Sequence, residues 1–177
     1  MNYTPPVFEP VVYIPADWRD YMRNLPVQAI HAVGHDPIPG GANHWCFYLQ
    51  TDQQASVRVD MIPSYSQPST VLAGGSKGNM VISYLQSPYS DSATWVETMA
   101  LCENLTVGFL LDYIVASNSH RFEFDGSGQG CRTWISDQIE LLSNAQYITS
   151  PVTTVLDAIH LAYPSRNPVA LTPGAYY

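Results

Sequence analysis

The sequence predicts an α+β fold, with an antiparallel sheet packed against two or three helices on one side. Three observations predict it. Period-two alternation crowds the first half of the chain, and helical spacing of apolar residues follows in the second. Charged residues make up only 12% of the 177, about half the usual share, while apolar residues reach 46%. Fourteen Pro and eleven Gly punctuate the chain, as expected of short elements joined by turns. The length is that of one domain with its own core.

Residues 1–26 read as a proline-rich N-terminal arm. Pro5, Pro6, Pro10 and Pro15 each fix φ and remove a donor, so the arm is extended. A helical turn is expected over residues 17–23, with Asp17 as its cap. A single α+β domain spans residues 27–163. Residues 27–33 alternate Val27, Ala29, His31 and Val33 against Gln28, Ile30 and Ala32, which is a strand. Residues 36–41 are a turn. Residues 43–51, aromatic and apolar, read as a buried strand. Residues 56–61 alternate again, with Val57 and Val59 on one face and Arg58 and Asp60 on the other. The short polar link between these two strands makes a hairpin. Residues 63–75 read as a polar loop and 79–85 as a further strand, ended by Ser87-Pro88.

Residues 94–102 fit both periods and are read as a strand. Residues 106–116 are a helix that Thr106 can cap, with Phe109, Leu110, Tyr113 and Ile114 at helical spacing. Residues 118–124 are extended, and residues 125–130 form a glycine-rich turn. That turn delivers Cys131 to the start of an amphipathic helix over 131–144, whose apolar face carries Trp134, Ile135, Ile139 and Leu142. Ser150-Pro151 opens a last helix over 152–163, which Pro164 stops. Residues 164–177 are a C-terminal tail.

Charge narrows the choice of partner. Fifteen acids against seven bases leave a net charge of -8, and Lys77 is the only lysine. Seven cations scattered in sequence build no surface for a nucleic-acid duplex or an anionic membrane. The expected partner is a small apolar or acyl substrate, with a homodimer left open. Three Cys at wide spacing are neither a disulfide framework nor a zinc motif, and no cofactor signature is present. The start lacks a signal-peptide pattern, so the chain reads as cytoplasmic with reduced thiols.

Cys131 is the candidate nucleophile. A helix N-terminus carries partial positive charge and stabilises a thiolate, and the amides at Gly130 and Cys131 can hold an oxyanion. His44, opening a hydrophobic strand between Asn43 and Trp45, is the candidate base. Asp60, on the neighbouring strand beside Arg58, is the candidate third member that orients the imidazole. Asn43, Trp45, Arg58, Gly130, Arg132 and Trp134 are the candidate substrate contacts. The competing reading of each is structural: a buried inert thiol, a strand-end histidine, an ion-paired edge, core aromatics.

A His on an early strand (Asn43-His44-Trp45) and a Cys at a later helix start (Gly130-Cys131-Arg132-x-Trp134) resemble the circularly permuted papain-like fold of lecithin:retinol acyltransferase and its relatives. The resemblance implies Cys131 as nucleophile, His44 as base, and Asp60 or Arg58 as the third polar residue. The chain departs from that group in carrying Gly130, not Asn, before the Cys. Asn43-His44-Trp45, Ser56-Val57-Arg58-x-Asp60-Met61-x-Pro63 and Gly128-x-Gly130-Cys131-Arg132-x-Trp134 also resemble a set of small fungal proteins of unknown function. That likeness implies a fungal source and a place in natural-product biosynthesis. Three functions are therefore open: thiol-dependent acyl chemistry, a cofactor-free cyclase or pericyclase (Diels–Alder type) or isomerase with an aromatic pocket, and a binding module without chemistry.

Overall fold

The structure is a computed structural model and describes residues 7–37 and 42–177. Part of the turn expected over 36–41 lies outside the described residues. The strands are β1 (Val11–Ile14), β2 (Ala29–Pro37), β3 (Asn43–Asp52), β4 (Ala55–Pro68), β5 (Ser76–Leu85), β6 (Trp95–Ala100), β7 (Phe122–Phe124), β8 (Leu161–Ala162), β9 (Asn167–Pro168) and β10 (Ala175–Tyr176). The helices are α1 (Arg19–Asn24), α2 (Val107–Ala116), α3 (Cys131–Asn144) and α4 (Thr153–Ile159). The class is α+β, with four helices rather than two or three. The main sheet runs β10-β7-β5-β4-β3-β2-β6 with antiparallel neighbours throughout. β1 joins it alongside β5 as its one parallel pair among the described residues.

Strand alternation sorts the core. Trp45, Phe47 and Leu49 of β3 and Val57, Val59 and Met61 of β4 share one apolar cluster with residues of all four helices. Phe47 and Trp134 meet there with ring centroids 6.0 Å apart. The alternate residues Cys46 and Tyr48 join Val33 in a second, smaller cluster on the other face, covered by Leu85, Tyr89 and Ala93. The α2 cap is as expected: Thr106 accepts from the Phe109 N–H at 3.2 Å. Among the described residues no helix is long and apolar enough to cross a membrane.

Several expectations fail for stated reasons. Within the N-terminal arm β1 pairs with β5, and within the C-terminal tail β10 pairs with β7. Residues 63–68 are strand, not loop. Pro63 and Pro68 lie on β4 opposite Gly78 and Ser76 of β5. The ladder between β4 and β3 stops at Val59/Phe47, so beyond it that edge of β4 is free and a proline there breaks no ladder bond. α4 ends at Ile159, because residues 161–168 fold back as the β8–β9 pair instead of continuing the helix.

The end of the β3/β4 ladder also positions the site. Beyond Phe47 and Val59 the two strands have no mutual pairing. A cleft of about 500 Å³ lies there, lined by His44, Asp60, Ile62, Pro63, Tyr65 and Gly128 among others.

Candidate active site

Cys131 is the first residue of α3, and Gly130 precedes it with φ 150°. That conformation is hostile to side chains, and an added Cβ would lie 3.0 Å from Phe122 and 3.2 Å from Phe124. With glycine there, no side chain caps α3, so the first-turn amides and the partial positive charge they carry face the thiol unshared. Asp125 shapes the approach, its Oδ1 accepting from the Ser127 and Gln129 N–H groups at 2.9 and 2.8 Å.

His44 Nε2 donates to Asp60 Oδ1 at 2.7 Å, and the Cys131 side chain is near enough to act on the charge of the imidazole. Nε2 is committed to Asp60, which leaves Nδ1 as the nitrogen open to a further partner. Burial alone would push the His44 imidazolium down. The bond to the Asp60 carboxylate, its negative charge and the nearby Cys131 side chain outweigh burial and hold it at about 10. Burial alone would push Asp60 up, but the bond to His44 and the charges of His44 and Arg58 bring it below its ordinary value. Arg58 pins the other carboxylate oxygen, Oδ2, and lies over the Tyr48 ring at 5.9 Å. The structure thus links His44, Asp60 and Arg58 in one chain of contacts and places Cys131 near His44.

The other expected contacts are built differently. Asn43 is fully buried. Its Nδ2 donates to the His35 and Tyr163 carbonyls at 2.6 and 3.2 Å, and its Oδ1 accepts from the Tyr163 N–H at 2.6 Å. It is a latch between β3 and the segment after α4, with no polar group left for substrate. Arg132 donates to the carbonyls of Ile159, Val169 and Ala170, closing the C-terminus of α4 and strapping the tail across α3. Trp45 and Trp134 are fully buried. Trp134 Nε1 donates to the Ser119 carbonyl at 2.7 Å.

Three features escaped sequence reasoning. His35 stacks on His44 with ring centroids 6.4 Å apart, and its Nε2 contacts Cys46 and Tyr48 at 3.3 Å each. Burial, then the charges of Arg58 and His44, lower its pKa and keep it neutral. Tyr65, exposed and at φ 55°, overhangs Gly128 at the cleft mouth. Cys131 itself is only 4% exposed. The cleft is lined by His44, Asp60, Arg58 and the Ser127-Gly128 wall, whereas the thiol borders a void of about 10 Å³ beneath Thr172. The alternation of β3 and β4 was the available signal for the pair His44 and Asp60; nothing local signals the overhang or the depth of the thiol.

Residues 29–177 match a protein family described as a domain of unknown function (DUF7770). No curated protein and no solved structure matches the chain.

Proposed function

The chain belongs to the DUF7770 family, and we propose that it is a thiol enzyme that transfers or hydrolyses an acyl group on a small molecule. The observation that carries this reading is His44, hydrogen-bonded to the Asp60 carboxylate with the Cys131 side chain nearby. A strand His preceding a helix-start Cys is the chain order of the permuted papain-like arrangement, and we read the topology that way. A small fungal natural-product precursor is the substrate class proposed.

In this mechanism Cys131 reacts as a thiolate paired with the His44 imidazolium, which Asp60 holds. The sulfur attacks the acyl carbonyl, and the Cys131 N–H at the α3 N-terminus stabilises the developing oxyanion. The imidazolium protonates the leaving group, the acyl–leaving-group bond breaks, and a thioester remains. Water, an alcohol or an amine then attacks the thioester and gives its proton to His44. The acyl product leaves, and the thiolate–imidazolium pair is restored. The cleft beside His44 and Gly128 receives the substrate.

One observation favours a second reading. His44, Asp60 and Arg58 face the open cleft while Cys131 is recessed. A cofactor-free cyclase or isomerase would use the first three as hydrogen-bond donors and acceptors to a bound carbonyl and leave the thiol idle. Incubation with p-nitrophenyl acyl esters, followed by intact-protein and peptide mass spectrometry, separates the two. The thiol reading expects one acyl adduct, on Cys131, absent in Cys131→Ala. Turnover that persists in Cys131→Ala and disappears in His44→Ala would replace it with the second.

A further inference from the structure

The seven cations are scattered in sequence, yet the fold gathers three of them. Arg23 and Arg58 are held by Asp112 and Asp60. Arg132 is spent on main-chain carbonyls, and Arg166 lies over the Trp95 ring at 4.6 Å. The remaining three, Arg19, Lys77 and Arg121, all line one cleft of about 610 Å³. Among the described residues none of the three has a carboxylate within ion-pair distance.

The cleft arises from topology. β5 pairs with β7 through Ser76 and Lys77, and with β1 only from Met80 onward. The gap where β5 changes partner is bordered by the residues leading into β1 and by Arg121 and Tyr177. Its walls are partly apolar, with Phe8, Tyr13 and Tyr177 among them. Two of these rings hold the cations in place without neutralising them: Arg19 lies 5.4 Å from the Tyr13 centroid, and Lys77 4.2 Å from that of Tyr177. Two acids are near. Glu9 lines the cleft and is exposed. Glu123 faces Lys77 across the β5/β7 pair, but its oxygens accept from Ser69, Thr70 and Val71.

Three like charges with no carboxylate in ion-pair contact repel one another, and a bound anion relieves that repulsion. We propose that this cleft binds a small anionic ligand, a carboxylate or phosphate on an apolar body, between Arg19, Lys77 and Arg121. The site is separate from the thiol chemistry and stands without it.

The test is titration of the full chain at low salt with hexanoate, phenyl phosphate and inorganic phosphate, with hexanol as the neutral control, followed by amide and arginine Nε–H chemical shifts. Saturable shifts confined to the cleft are expected, with millimolar affinity or tighter. Arg19→Gln, Lys77→Gln and Arg121→Gln are each expected to weaken binding about twofold or more, and Arg166→Gln to leave it unchanged. Binding of hexanoate alone identifies a carboxylate ligand, and binding of the phosphates alone a phosphate ligand. Absence of saturable shifts with every anion overturns the proposal. So do equal shifts with hexanol, or affinity that survives in all three variants.

Discussion

His44 has its charge set by two neighbours of opposite function. Asp60 binds the imidazole on one side and is itself held by Arg58, so the carboxylate stays charged and fixed. The nearby Cys131 side chain acts on it in the same direction. Asp60→Asn keeps the shape and removes the charge, and is expected to lower acyl turnover by about 10²- to 10⁴-fold with KM little changed, as steady-state kinetics would show. Asn43→Ala tests the opposite role. It strips the partners from the buried Tyr163 N–H and carbonyl, so denaturant unfolding is expected to show a loss of about 1–3 kcal/mol. Turnover per folded molecule should remain near that of the parent. These two Asn/Asp positions show where residue-scale reading of a sequence works and where it stops. Asp60 shares a hairpin with His44, so alternation and loop length place them together. The partner of Asn43 is 120 residues away, and no local pattern points to it.

At the scale of elements, α3 was legible at both ends, because a glycine turn precedes it and its apolar face repeats at helical spacing. Its start is also its weak point. Gly130→Ala forces a Cβ toward Phe122 and Phe124 at a φ that side chains avoid. Chemical denaturation is expected to show a loss of about 1–3 kcal/mol, with lowered activity as the α3 N-terminus shifts. Arg132 is an element-scale residue as well, since it ties α3 to the end of α4 and to the tail. Its type suggested a substrate cation, but its length and five donors equally suit a cage of carbonyls, and sequence cannot separate the two. The sequence reading ends β4 at Met61 and gives residues 63–75 to a polar loop. The free edge of β4 beyond Val59 is what tolerates Pro63 and Pro68, and the strand separation that frees that edge accompanies the cleft.

At the scale of the whole molecule, stability depends on pH through the same pair. The His44 pKa is raised from 6.5 to about 10 by folding, so its contribution is fully present below 6.5 and is lost as pH rises through about 10. The Asp60 pKa is lowered from 3.8, so its contribution is present above that value and is lost as pH falls through the folded pKa. Thermal midpoints are therefore expected to hold between these limits and to decline on both sides, with the alkaline slope reduced in His44→Gln. Fold class, the strand hairpin and the cysteine-headed helix were all readable because they rest on periodicity and turn chemistry. The docking of β1 and β10 on the sheet and the gathering of Arg19, Lys77 and Arg121 into one cleft were not. Both depend on pairings between chain segments far apart in sequence.

The account rests on Cys131 and His44 acting as a pair, and the most direct measurement is the rate of Cys131 alkylation by iodoacetamide. It would be resolved by peptide mass spectrometry across pH, in the parent chain and in His44→Ala. Cys46 serves as the internal control, a buried thiol whose ionisation burial suppresses. The expected result is that Cys131 is modified at neutral pH well ahead of Cys46, and that His44→Ala slows it about tenfold or more while the thermal midpoint shows the protein still folded. Equal Cys131 rates in the two folded proteins, or a Cys131 as inert as Cys46 in both, would contradict the account.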